Sequence, residues 1–167
     1  GEDLIDRYIE RAISLVPKAR AGSLKVVLTA MHGVGAETCM RALNGAGFDD
    51  VHLVAEQAEP DPEFPTVNFP NPEEPGALDL SFALAKKIGA DRIIANDPDA
   101  DRCSAAIPLR GGGWRQLTGD EVGQLLGEQV APLAALRGEG VLACSIVSSR
   151  MLGKIASSHG LNYVETL

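Results

Sequence analysis

Residues 92–102 read Arg-Ile-Ile-Ala-Asn-Asp-Pro-Asp-Ala-Asp-Arg. The run from Arg92 to Ala95 predicts a short buried strand. It empties into three carboxylates at alternate positions, Asp97, Asp99 and Asp101, closed by Arg102. In open α/β sheets the carboxyl ends of parallel strands are where ligands bind. The fold class therefore turns on whether the strand at 92–95 has parallel neighbours.

Upstream residues supply them. Leu4, Ile5, Tyr8, Ile9, Ala12, Ile13 and Val16 recur at three- and four-residue steps and predict an amphipathic helix over 3–16. Pro17 is placed to stop it. Leu24 to Ala30 reads as a buried strand. Met31-His32-Gly33-Val34-Gly35 turns into a helix running to about Gly45, and Val51 to Ala55 reads as a second strand. Ala77 to Ile88 predicts a further helix ended by Gly89. Helix, strand, helix, strand, helix, strand is the alternation of an α/β protein: a three-layer α/β/α mixed sheet, mostly parallel, with helices on both faces. Downstream, Cys103 to Leu109, a Gly111-Gly112-Gly113 turn and a short strand to Leu117 predict a hairpin at an antiparallel edge.

Residues 56–75 differ in kind. They hold six of the ten prolines and six acidic residues, with no basic residue. A structureless stretch of that length inside a domain points to a functional or disordered loop. Asn71 and Glu73 are read as ordering it. A new unit is expected at Thr118-Gly119-Asp120-Glu121. Thr118 or Asp120 caps a helix whose Val122, Leu125, Leu126 and Val130 share a face. A strand (Gly140 to Val147), a helix behind Ser148-Ser149 and a strand (Leu161 to Val164) follow. The expected division is 1–117 for one domain and 118–167 for the beginning of another, too small to own a core.

Composition narrows the function classes. Lys plus Arg number 15 and Asp plus Glu 23, a formal charge of -8, which disfavours nucleic acid as a partner. Cys39, Cys103 and Cys144 are odd in number and widely spaced, which points to reduced thiols and a cytoplasmic location. No apolar run reaches the length of about 18 residues needed to span a bilayer, so no membrane partner is expected. The N-terminus is acidic where a signal peptide would be basic.

Three carboxylates converging on one centre repel each other unless a cation lies between them. Hard oxygen donors select Mg²⁺, Mn²⁺ or Ca²⁺. Arg102 is placed to contact an anion, such as a phosphate, sharing that metal. An EF-hand loop is excluded, because its Gly and Glu positions hold Arg102 and Pro108. A phosphatase with Asp97 as nucleophile leaves Asp101 and Arg102 without a role. A metal-diphosphate site in a sugar transferase stays open on the motif alone, as does a non-catalytic module for a divalent metal or phosphosugar. His32, between a strand and a helix, is a candidate substrate contact; local packing in the turn explains it equally. Gly33 and Gly35 allow backbone N–H groups to approach a phosphate, or simply make the turn.

Asp97-Pro98-Asp99-Ala100-Asp101-Arg102 resembles the metal loop of the α-D-phosphohexomutases, the phosphoglucomutases and phosphomannomutases. Met31-His32-Gly33-Val34-Gly35, Phe69-Pro70-Asn71-Pro72-Glu73, Leu117-Thr118-Gly119-Asp120-Glu121 and Ile146-Val147-Ser148-Ser149-Arg150-Met151-Leu152 resemble further segments of that family, in the family's order. The loop and the Ile146–Leu152 segment look nearest to the bacterial phosphoglucomutase branch, with its phosphopentomutase-like and bisphosphate-synthase relatives. The resemblance implies an enzyme that moves a phosphoryl group between sugar hydroxyls through a phosphoserine and a bisphosphorylated sugar. It implies Mg²⁺ held by Asp97, Asp99 and Asp101, a catalytic Arg102 that steadies phosphate, and a glucose or mannose phosphate as substrate. The family's serine loop and its sugar-contacting segment do not occur in this sequence. The chain is therefore expected to be a second domain with the start of a third, inactive alone and partnered by the remaining domains of the same enzyme.

Overall fold

The computed structural model describes residues 2–16 and 23–167, so the expected stop at Pro17 lies outside the described residues. The chain divides into two compact units, Gly1–Gln116 and Leu117–Leu167. None of the helices of the described residues is long and apolar enough to cross a membrane.

The first unit is a five-stranded mixed α/β sheet. Its centre is β1 (Val26–Thr29), whose four residues are all buried. β1 pairs in parallel with β2 (Val51–Leu53) on one side and with β3 (Arg92–Asn96) on the other. β3 then pairs antiparallel with β4 (Cys103–Pro108), and β4 antiparallel with β5 (Trp114–Gln116). The order is β2-β1-β3-β4-β5. Helix α2 (Ala36–Gly45) connects β1 to β2, and α3 (Asp79–Ile88) connects β2 to β3. These crossovers run in opposite directions across the sheet. Right-handed connections therefore put α2 and α3 on opposite faces, which is the three-layer α/β/α arrangement.

Local chemistry explains the element ends. Gly89 takes the left-handed conformation that closes α3, its N–H bonding to the Ala85 carbonyl. Lys86 and Lys87 stand in the last turn, where cations complement the helix dipole. Under α3, Val27, Val54, Ala85, Ala90, Ile93 and Ala106 form a buried cluster, with Trp114 and Phe82 packed against it. α1 (Glu2–Ser14) packs on α2. Ile9 is buried, Asp6 pairs with Arg41, and Ile13 lies against Gly45, where a Cβ would collide with it. The covered stripe is narrower than the periodicity predicts, and Leu4 and Tyr8 stay about two-thirds exposed.

The stretch expected as a 20-residue loop is a chain of turns. It opens with a 3₁₀ turn at Ala55–Gln57 that places Gln57 in the interior. Asn71 accepts from the Glu73 N–H at 3.1 Å, and the buried Pro72 gives its carbonyl to Gln116 at 2.6 Å.

In the second unit, α4 (Gly119–Arg137) starts at a capping box. Thr118 Oγ1 accepts from the Glu121 N–H at 3.2 Å, and Glu121 accepts from the Thr118 N–H at 2.9 Å. β6 (Val141–Ser145) and β7 (Asn162–Thr166) pair in parallel around α5 (Met151–Ser158). The expected face of α4 is not the one that packs. Gly127 and Ala131 are buried, while Leu125, Leu126 and Val130 are exposed. The small residues admit close approach of α5: a Cβ at Gly127 would strike Leu152.

Leu28 is fully buried between the sheet and its helical layer. Leu28→Ala is expected to destabilise the first unit by about 2–5 kcal/mol in urea unfolding. Leu136→Ala, at a side chain 85% exposed, is expected to shift stability by less than about 0.5 kcal/mol.

Candidate metal centre

β1 and β3 run parallel and end side by side, with Thr29 opposite Ala95. The loop after β3 is the hairpin connection into β4, since Asn96 pairs with Cys103. Its six residues close on themselves. The Arg102 N–H donates to Asp97 Oδ1 at 3.0 Å, and the Ala100 N–H to the Asp97 carbonyl at 3.0 Å. Ala100 sits at φ 56°, a left-handed conformation that costs energy for any residue with a Cβ.

This turn brings Asp97, Asp99 and Asp101 together. One oxygen of each lies within 4.8 Å of the others. Asp97 is fully buried; Asp99 and Asp101 face solvent. Arg102 Nη2 stands 2.7 Å from Asp97 Oδ2, and Nε stands 3.5 Å from Asp101 Oδ1. Even so, Asp97 Oδ2 is buried without a well-directed hydrogen bond. The neighbouring Asp97 and Asp101 carboxyls are shifted in opposite directions. Burial pushes Asp97 up, but the Arg102 N–H and guanidinium outweigh it and hold the group below the usual carboxylate range. Asp101 is pushed above that range by loss of water and by the charges of Asp99 and Asp97. An unbalanced negative charge at Asp101 is what a cation would relieve.

The donor set fits a hard divalent cation. Oxygens around one Mg²⁺ at about 2.1 Å stand at most about 4.2 Å apart. The 4.8 Å spread would have to close by about 0.6 Å or more around such an ion, and Asp99 and Asp101 are exposed. Asp97, Asp99 and Asp101 would hold the metal, waters or a phosphate oxygen would supply its remaining ligands, and Arg102 is adjacent in the loop with its side chain 64% exposed.

A second wall comes from the turn after β1. Met31 and His32 both adopt left-handed backbone, at φ 49° and 61°. Gly33 then passes so close to Pro98 that a Cβ would overlap its backbone, and the Val34 N–H donates to the Pro98 carbonyl at 2.9 Å. A Cβ on Gly35 would stand 2.8 Å from Ala100 Cβ. The two glycines thus serve the docking of this turn on the carboxylate loop. His32 is 5% exposed, and its Nε2 is held by Thr66 Oγ1 at 2.8 Å. A substrate contact from His32 would use Nδ1.

Sequence reading missed the residues under this turn. Thr29 donates to Gln57 Oε1 at 2.6 Å and accepts from the Met31 N–H at 3.0 Å. Gln57 Nε2 donates to Thr66 at 2.9 Å, and the Gln57 carbonyl accepts from the His32 N–H at 3.0 Å. Asn96 Oδ1 is buried with no donor. A lone Gln in a proline-rich acidic stretch carries no periodicity that would single it out.

A family model described as phosphoglucomutase/phosphomannomutase, alpha/beta/alpha domain II, matches residues 6–111, well over half of the chain. A probable phosphomannomutase of Haemophilus influenzae is 48% identical over 167 residues, all of this chain and 34% of its own length. The human phosphopentomutase is 41% identical over 175 residues, 99% of this chain and 28% of its own. Among solved structures, a phosphoglucomutase/phosphomannomutase family protein from Burkholderia thailandensis has the same fold, with a TM-score of 0.75 and 24% identity, over 97% of this chain and 32% of that one. The chain spans about a third of the length of these relatives. A matched α/β/α domain and a full-length likeness to a mutase place the chain in the phosphoglucomutase/phosphomannomutase family.

Proposed function

We propose that this chain carries the Mg²⁺-holding part of a sugar-phosphate mutase: its second domain over 1–117 and the beginning of its third over 118–167. The observation that carries the reading is the convergence of Asp97, Asp99 and Asp101 at the end of a parallel strand, on a loop locked by Arg102. The relatives act on phosphorylated sugars by name, mannose in one case and pentose in another. The substrate here is accordingly a sugar phosphate, with glucose or mannose phosphate as the reading from the motif.

Bound Mg²⁺ would supply electrostatic stabilisation to a phosphoryl group in transfer. The chain's own residues set that up. Asp97, pinned by Arg102, presents one buried oxygen in a fixed direction. Asp99 and Asp101 close from the solvent side. Arg102 holds the loop and offers its exposed N–H groups to phosphate. The phosphoseryl donor and the sugar-contacting segment belong, in this reading, to other domains of a longer protein working in the cytoplasm. An Asp97 nucleophile fares worse, because the side chain is fully buried and one oxygen already accepts the Arg102 N–H.

Titration calorimetry with Mg²⁺ or Mn²⁺ is expected to show weak binding by the chain, lost in Asp99→Ala; equal heats from both would overturn the metal assignment. With glucose 1-phosphate, mannose 1-phosphate or ribose 1-phosphate and Mg²⁺, the chain alone is expected to give no isomerised product. Turnover would refute the division of labour between domains.

Arg102→Ala leaves the buried Asp97 carboxylate without its counter-charge. A loss of stability is expected at pH 7, limited by the exposure of Arg102. A carboxyl with a lowered folded pKa stabilises the fold above its unfolded value, and that contribution is lost as pH falls through the folded value. The gap between wild type and Arg102→Ala should therefore be full near neutrality and shrink below the usual carboxylate range, as read by urea midpoints across pH.

A further inference from the structure

We propose that Gln57 is a positioning residue for the carboxylate loop, acting through the left-handed Met31–His32 turn. The inference rests on the metal reading of that loop and adds to it a buried support that touches neither metal ligand nor substrate.

Two consecutive left-handed residues with side chains are unfavourable by themselves. Met31 and His32 persist in that state because each of their N–H groups has a dedicated acceptor. Thr29 Oγ1 takes the first at 3.0 Å, and the Gln57 carbonyl takes the second at 3.0 Å. The Gln57 side chain closes the ring from below. Its Oε1 accepts the Thr29 hydroxyl at 2.6 Å, and its Nε2 donates to Thr66 at 2.9 Å, which in turn holds the His32 ring at 2.8 Å. The His32 carbonyl is taken by the Asp61 N–H at 3.0 Å. The fully buried Gln57 therefore ties the end of β1, the acidic loop and the His32 ring into one network.

What the network holds is the approach of Gly33 and Val34 to Pro98. The Pro98 carbonyl lies between Asp97 and Asp99, and it meets the turn at the Val34 N–H at 2.9 Å and at the side-chain-free Gly33. A small rotation at Met31 or His32 would move that contact and with it the two ligands that flank Pro98. Groups hydrogen-bonded to the ligands themselves set metal affinity by on the order of 10–100-fold; Gln57 acts further out, through the turn and Pro98, so its loss is expected to cost less.

The test uses the whole chain and four variants. Gln57→Met keeps the volume and removes the amide. Thr66→Val removes the hydroxyl that joins Gln57 Nε2 to the His32 ring, at an exposed position where folding is least at risk. Thr66→Ser restores the hydroxyl. Asp99→Ala reports on the metal assignment itself. Two quantities are read: Mn²⁺ affinity by calorimetry, and hydrogen exchange of the Val34 amide in metal-free protein. Gln57→Met and Thr66→Val are expected to weaken Mn²⁺ binding by roughly 3–10-fold, below the range for groups that bond the ligands directly, and to speed Val34 exchange, while Thr66→Ser matches wild type in both. Wild-type Val34 exchange and Mn²⁺ affinity in Thr66→Val and Gln57→Met would overturn the proposal while leaving the metal site standing. Unchanged Mn²⁺ binding in Asp99→Ala would overturn the metal reading. Faster Val34 exchange in Gln57→Met and Thr66→Val, restored in Thr66→Ser, would still establish that Gln57 positions the turn.

Discussion

β1 and β3 stop pairing at Thr29 and Ala95, and the site depends on what the two chains do in the next few residues. Parallel neighbours must both leave the sheet at the same edge. Here one leaves as a left-handed turn into a helix and the other as a tight hairpin into an antiparallel strand. The two exits have to share one small volume. They do so only because Gly33 has no Cβ to place where Pro98 already is. Steric economy at one glycine thus lets a backbone turn brace a loop that would otherwise face water on that side.

Charge works against that compactness. Three carboxylates within 4.8 Å would spread apart if nothing held them. The loop resists by burying one of them against Arg102 and leaving the other two in water. The opposed shifts of Asp97 and Asp101 record the remaining imbalance. In the proposed metal site, a loop held this way by packing would meet part of its ordering cost in folding rather than in binding.

The second unit shows where periodicity misleads. Val122, Leu125, Leu126 and Val130 read as an inner face, yet Gly127 and Ala131 make the contact. α5 approaches the helix where side chains are smallest. Periodicity identifies an amphipathic helix; it does not say which part of a wide apolar face meets a partner this small.

Much was legible from residues alone. Strand and helix signals are local, so the α/β alternation, the Gly89 stop, the Thr118 cap and the triple-glycine turn could be read from short windows. So could the meeting of the three aspartates, since alternate positions in a short loop after a strand stay close wherever the chain folds. What the sequence could not show depends on residues far apart along the chain. Gln57 lies in a stretch that reads as loop, and its role exists only because Thr29, Met31, His32 and Thr66 close around it. Gly33 and Gly35 read equally as turn formers or as a phosphate cradle. Their meeting with Pro98 and Ala100, more than sixty residues away, decided for close packing. Local propensity is carried by neighbours in sequence, whereas the satisfaction of buried polar groups and the exclusion of a Cβ are settled by neighbours in space.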